Sequence, residues 1–258
     1  MPEFSALILA GGRASRFGGS DLYREKLGGK SMLSHSIDMC DANEHCREII
    51  VSVSPAVRSW IEGDVLTFGS GRMQLTDAQP DRQSSALAAA RLATAALLVI
   101  LDANRPYSGE ELLERVLREA TANTGCAPCL DCTDPPATRG EQVSADAGET
   151  DFFGAKKSES YARNLLRGNL NAADAVLLQH PQAYRREDYI RHAEAAGELS
   201  RFADDSEVFM AGGGDIILVP GRSGNFRVVS HDDLRIMQKI MGGPSKKKQD
   251  GKYGGLGW

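Results

Sequence analysis

The chain has 258 residues, 41% of them hydrophobic and 25% charged, and a formal net charge of −5. This is the composition of a globular protein able to bury a large core, and it excludes a general electrostatic attraction to nucleic acid or to an acidic membrane surface. No apolar run approaches the roughly 20 residues that span a bilayer, and Pro2, Glu3 and Phe4 are not the basic start of a secretory leader, so the expected location is cytoplasmic.

In chain order, the run Ala6–Ala10 reads as a buried strand, since strands covered on both faces are continuously apolar. It enters Gly11-Gly-Arg-Ala-Ser-Arg16. Glycines let backbone N–H groups approach a ligand closely, and Arg13 and Arg16 add fixed positive charge, a combination suited to a polyphosphate. The segment is not a P-loop, because no Gly-Lys-Ser/Thr follows, and its third glycine is misplaced for a dinucleotide fingerprint.

A helix over Met32–Asp41, a strand over Ile49–Val53, a helix over Ser84–Ala95 and a strand over Leu97–Leu101 come next. Pro55 and Pro106 each start a turn or a helix just after a strand. A helix over Glu110–Ala122 leads to Cys126, Cys129 and Cys132, spaced like an iron–sulfur ligand set whose fourth position is Pro136 rather than cysteine. With Cys40 and Cys46 the cysteine count is odd, so small thiols rather than a disulfide framework are expected.

Residues 131–171 are rich in Pro, Gly and charge and too long for an ordinary connection. They read as an excursion: a lid, a flap or an oligomerisation arm. Strands over Ala175–Leu178, Asp215–Val219 and Arg227–Val229 and helices over Arg186–Ala196 and Asp232–Met241 complete the body, with Ser230 placed to cap the last helix. Residues 242–258 read as a flexible Gly/Lys-rich tail. This alternation predicts one α/β domain over residues 1–241, a mostly parallel twisted sheet with helices on both faces and a protruding arm. Ligand is expected at the C-terminal ends of the strands.

Several segments, in this order and spacing, carry a family likeness: Leu9-Ala-Gly-Gly-Arg-Ala-Ser-Arg-Phe17, Gly28-Gly-Lys-Ser-Met-Leu-Ser-His-Ser36, Asp81-Arg-Gln-Ser-Ser-Ala86, Val99-Ile-Leu-Asp-Ala-Asn-Arg-Pro106, Gln179-His-Pro-Gln-Ala-Tyr184 and Gly221-Arg-Ser-Gly-Asn-Phe-Arg-Val228. Over nearly its whole length the chain resembles the 2-C-methyl-D-erythritol 4-phosphate cytidylyltransferase family, nucleotidyltransferases with a Rossmann-like fold. The resemblance implies magnesium-assisted attack of a polyol phosphate on CTP with loss of pyrophosphate, a step of isoprenoid precursor biosynthesis, by a homodimer joined through its arm. Such chemistry needs positioning and positive charge, not a protein nucleophile.

The resemblance also implies roles for individual residues. Ala10, Gly11, Gly12 and Arg13 match the nucleotide loop, and Arg16 the arginine that neutralises the triphosphate. Arg82 and Ser85 match an Arg-x-x-Ser that holds nucleotide, although Ser85 also suits a helix cap. Asp102, at the end of a strand, matches the magnesium aspartate, a hard-cation ligand, or else caps a turn. Ala103 falls under the ribose. Arg105 and Arg227 face the acceptor phosphate, or Arg105 is instead a structural ion-pair partner.

Departures are equally specific. The family's post-loop lysine falls in a contracted stretch where Lys26 is the candidate, with Arg24 and Lys30 as alternatives. Gln79-Pro80 replaces the glycine where backbone groups read cytosine. Asn171-Ala172 stands where an Asp-Arg pair holds the acceptor, and His180 where the family has Thr. Gly224 replaces an Asp, for which Asp204 and Asp205 are candidate substitutes. Two functions fit: a cytidylyltransferase for methylerythritol phosphate or another acceptor such as ribitol 5-phosphate, or a member that binds nucleotide or a protein partner without turnover.

Overall fold

The computed structural model describes residues 2–12, 17, 20–64, 71–143 and 163–242. The strands are β1 (Phe4–Ala10), β2 (Lys26–Leu27), β3 (Lys30–Ser31), β4 (Cys46–Val53), β5 (Met73–Asp77), β6 (Leu97–Asp102), β7 (Thr124–Asp131), β8 (Ala137–Val143), β9 (Arg163–Asn169), β10 (Val176–Leu178), β11 (Gln182–Arg185) and β12 (Asp215–Pro220). The helices are α1 (Met32–Asp41), α2 (Pro55–Gly63), α3 (Arg82–Leu92), α4 (Glu110–Glu119), α5 (Arg186–Ala195), α6 (Asp205–Ala211) and α7 (His231–Met241). The chain divides into two compact units, Met1–Pro128 with Gln179–Trp258, and Cys129–Leu178.

In the first unit the sheet order is β5-β4-β1-β6-β11-β7, with β12 paired to β7. β5, β4, β1 and β6 are parallel, and β11 is antiparallel to both β6 and β7. Side chains alternate across a strand, and along β1 both sets are buried. Phe4, Ala6, Ile8 and Ala10 join a core with Leu33 and Ile37 of α1, Val57 and Ile61 of α2, and Leu113 and Val116 of α4. Leu7 and Leu9 join the opposite core with Ala86, Ala89 and Ala90 of α3, Tyr189 of α5 and Phe209 of α6. Helices therefore cover both faces, which is why Ala6–Ala10 of β1 is an unbroken apolar run. Each fully buried Leu, Ile or Val here contributes roughly 1.5–3 kcal/mol.

The predicted element types hold with shifted ends, except at residues 227–229, which form no strand. Val228 N–H donates to the Asn104 carbonyl at 2.9 Å and Asn104 Nδ2 donates to the Val228 carbonyl at 2.9 Å. One residue pair satisfies this backbone, so no ladder extends from it. Helix α3 starts at Arg82, because Asp81 rather than Ser85 is the cap: its side chain accepts from Ser84 N–H. The Ser230 cap is present as a full capping box with Asp233.

Strand β7 was hidden by its composition: Gly125 and Pro128 break its pattern, and its cysteines mimic a ligand motif. Gly125 is needed there, since a Cβ would stand 2.5 Å from the Tyr184 ring. Cys126 and Cys129 lie an odd number of residues apart in one strand, which puts them on opposite faces and rules out convergence on one cluster. Cys126 is buried, while Cys129 and Cys132 are half-buried.

In the second unit, β8 and β9 form an antiparallel ribbon and β10 pairs antiparallel with the last residues of β7. The expected tail lies outside the described residues from 243 onward. Among the described residues no helix is long and apolar enough to cross a membrane.

Candidate active site

A cleft of about 980 Å³ opens in the first unit at the C-terminal ends of the parallel strands. Gly11 and Gly12 leave β1 at its edge. Gly11 is obligatory, because a Cβ there would lie 2.2 Å from Ala78 Cβ on the loop after β5. Tyr23, Ser85, Asp102, Asn104, Arg82 and Arg227 also line the cleft.

The electrostatic centre is Asp102, buried at the end of β6. Its Oδ1 accepts from Arg82 Nε at 3.2 Å and Nη2 at 2.9 Å. Its Oδ2 accepts from Arg227 Nη2 at 2.6 Å and Arg105 Nε at 3.3 Å. His180 Nδ1 stands 3.2 Å from the same oxygen, close but off the hydrogen-bond axis. Burial alone would raise the Asp102 carboxyl, but the charges of His180, Arg82 and Arg227 outweigh it and hold it well below the ordinary carboxylate range.

A second buried carboxylate stands behind the first. Asp205, at the start of α6, pairs with Arg82 Nη1. It also accepts from Tyr189 Oη at 2.9 Å and lies 3.2 Å from His180 Nε2. Burial works against its charge, yet Arg82 and His180 pull its pKa down to about 2. Arg82 is thus clamped between two aspartates, with its Nη2 2.9 Å from His180 Nε2. His180 is buried, and burial lowers its pKa, but the Asp102 charge more than compensates and the net direction is upward. Asn225 Nδ2 donates to the His180 carbonyl at 2.7 Å, while Arg105 Nη1 donates to the Asn225 carbonyl at 2.6 Å.

Of the expected site residues, Gly11, Gly12, Arg82, Ser85, Asp102 and Arg227 meet in the cleft. Ala10 and Ala103 are fully buried beneath it. Arg105 is buried against Asp102 and Asn225, the ion-pair arrangement that is its alternative reading. Arg13 and Arg16 lie outside the described residues. Lys26 is exposed on the β2–β3 hairpin, where its carbonyl accepts from Gln238 of α7 at 3.3 Å, and it does not line the cleft. Tyr23, three residues earlier, lines the cleft. Lys30 pairs with Asp38, and Arg24 stacks 5.5 Å over Trp60.

Asp102 is not set out as a magnesium ligand. Magnesium needs near-octahedral oxygens with room for water, and both Asp102 oxygens are taken by guanidinium groups. Neither expected substitute is better placed: Asp204 caps α6 through Ser206 N–H and accepts from Gln182, while Asp205 is sealed under Arg82. Among the described residues, no three His, Cys, Asp or Glu side chains are grouped to hold a metal ion. The described residues therefore do not fit a metal held by the protein.

Sequence reasoning missed Tyr23 and the clamping role of Asp205. Burial pushes the Tyr23 phenol up to about 12, with the nearby Asp102 adding to the effect, so it stays a neutral hydroxyl. No local pattern marks either residue, because each reaches the site only through the fold. The Gln79-Pro80 departure has a structural consequence. Gln79 N–H is committed to Ser85 Oγ at 2.9 Å, Ala78 N–H to the Val53 carbonyl at 2.9 Å, and Pro80 has no N–H. These three residues have no uncommitted backbone N–H with which to read a base.

The family model of the MobA-like NTP transferase domain matches residues 6–204. The chain is 25% identical over 240 residues to a bifunctional enzyme IspD/IspF of Anaeromyxobacter dehalogenans, covering 92% of this chain and 57% of that protein. It thus spans a little over half the length of such bifunctional relatives. It is 22% identical over 243 residues to the 2-C-methyl-D-erythritol 4-phosphate cytidylyltransferase of Geobacillus kaustophilus, covering 93% and 97% of the two chains. The fold is like that of the 4-diphosphocytidyl-2C-methyl-D-erythritol synthase of Anaerococcus prevotii, with a TM-score of 0.69, 17% identity and 92% and 97% coverage. It is also like that of the 2-C-methyl-D-erythritol 4-phosphate cytidylyltransferase of Thermus thermophilus, with a TM-score of 0.66, 20% identity and 93% and 98% coverage. With a mostly parallel sheet, a glycine-edged cleft at its strand ends and a family match over most of its length, the chain belongs to the MobA-like NTP transferase domain family.

Proposed function

We propose that the chain is a cytidylyltransferase that moves CMP from CTP to a polyol phosphate, with 2-C-methyl-D-erythritol 4-phosphate the first acceptor to test. The observation that carries this reading is the cleft where Gly11 and Gly12 meet the guanidinium groups of Arg82 and Arg227. Backbone N–H groups and arginines at strand ends suit phosphate oxygens. The names of the relatives supply the nucleotide and the acceptor. In the reaction, an oxygen of the acceptor's phosphate bonds to the α-phosphorus of CTP, the bond from that phosphorus to the oxygen bridging the α- and β-phosphates breaks, and pyrophosphate leaves. Charge builds on the phosphate oxygens, where fixed guanidinium groups stabilise it without reorganising.

The second reading, nucleotide binding without turnover, is favoured by the sealed state of Asp102. One assay separates the two. Pyrophosphate release is followed with CTP and methylerythritol phosphate, ribitol 5-phosphate and other polyol phosphates. Calorimetry with CTP, ATP, GTP and UTP runs beside it. Steady release with one acceptor is the expected result. Saturable CTP binding with no release across the acceptors assigns the chain to the binding role, and no nucleotide binding at all overturns both readings.

The chain's second unit is proposed to join two copies into a homodimer. Its β8–β9 ribbon leaves Leu165 and Leu166 exposed, and Leu170 just after it is exposed as well.

A further inference from the structure

We infer that Asp102 is the anchor of an arginine trio and that the chain binds its nucleotide without a metal ion held on the protein; the inference rests on the nucleotide reading above. The carboxylate ties together guanidinium groups from three places in the chain: Arg82 at the start of α3, Arg105 after β6 and Arg227 before α7. A divalent cation at either Asp102 oxygen would have to displace a guanidinium and then sit among the others. Among the described residues it would gain no second carboxylate, because Asp205 is held by Arg82, Tyr189 and His180.

The same arrangement favours an anion. Arg82 and Arg227 line the cleft together with Asp81 and Asp102, so the charged lining sums to zero and the anion is favoured by the guanidinium donors rather than by net charge. A guanidinium carries five N–H donors. Arg227 gives Nη2–H to Asp102, and its side chain is 40% exposed, so donors remain at a cleft-lining position. Guanidinium groups held this way match phosphate oxygens in geometry and keep their charge at any working pH. The ligand class is therefore a nucleoside triphosphate bound through its phosphates, with or without a cation of its own.

The test is calorimetric titration of the full chain with CTP, once in EDTA and once in excess magnesium. The dissociation constants are expected to agree within about threefold, and Arg227→Gln is expected to weaken both by about tenfold. Asp102→Asn is expected to weaken binding equally in the two conditions. A loss of about tenfold or more in EDTA overturns the inference, as does an Asp102→Asn defect confined to magnesium. Manganese paramagnetic resonance on the nucleotide-free wild-type chain covers the case in which Asp102→Asn does not fold. No bound manganese is expected, and a stoichiometric bound signal overturns the inference. CTP binding that needs magnesium sinks this inference alone, whereas no CTP binding in either condition sinks the nucleotide reading with it.

Discussion

At the scale of single residues, the site is held by buried charge rather than by loop sequence. Asp205 is fully buried, and its partners Arg82 and His180 come from distant parts of the chain. Breaking such a pair leaves uncompensated charge, at a cost of about 3–5 kcal/mol. Asp205→Asn is therefore expected to lower the urea midpoint well beyond an ordinary surface change. The pH dependence has a defined sign. The folded pKa of Asp205 is depressed to about 2, so its stabilisation is present above the unfolded value of 3.8 and is lost as pH falls through that window. A wild-type denaturation series across this range should show a loss on the order of 2 kcal/mol from this group, absent in Asp205→Asn. An unchanged difference between the two proteins at every pH would contradict it.

At the scale of elements, each part of the site is set by where an element starts or stops. Asp81 starts α3 so that Arg82 projects from its first turn, and Asp102 is the last residue of β6. Helix α7 follows Arg227 closely, and its start is fixed by the Ser230–Asp233 capping box. Loss of an N-cap serine costs about 1 kcal/mol. Ser230→Ala should therefore lower stability by about that much, and thermal melting with CTP titration is the measurement. A drop several times larger would mean that Ser230 supports more than the helix end.

At the scale of the whole molecule, the expected assembly follows from the second unit. A two-stranded ribbon is marginally stable on its own in water, and β9 and the residues after it expose Leu165, Leu166 and Leu170. Sedimentation velocity is expected to give a dimer, and Leu166→Arg a monomer. A wild-type monomer at all concentrations would remove the proposed homodimer.

By itself, the sequence determined the alternating elements, the doubly covered sheet, the Gly11-Gly12 edge of the cleft, the Ser230 cap and the family. These are local or periodic properties: an apolar run, a turn that only glycine permits, a cap beside its helix. Tertiary structure alone decided that β7 is a strand under its cysteine pattern, that residues 227–229 are not, that Lys26 lies outside the cleft and that Tyr23 lies within it. It also decided the meaning of Asp102. A carboxylate at a strand end reads as a metal ligand until its neighbours are known. Arg82, Arg227 and His180, brought together from 20, 125 and 78 residues away along the chain, turn it into the anchor of a cationic cluster. Ion pairing acts over a few ångströms of space regardless of separation in sequence, so no local pattern could carry that information.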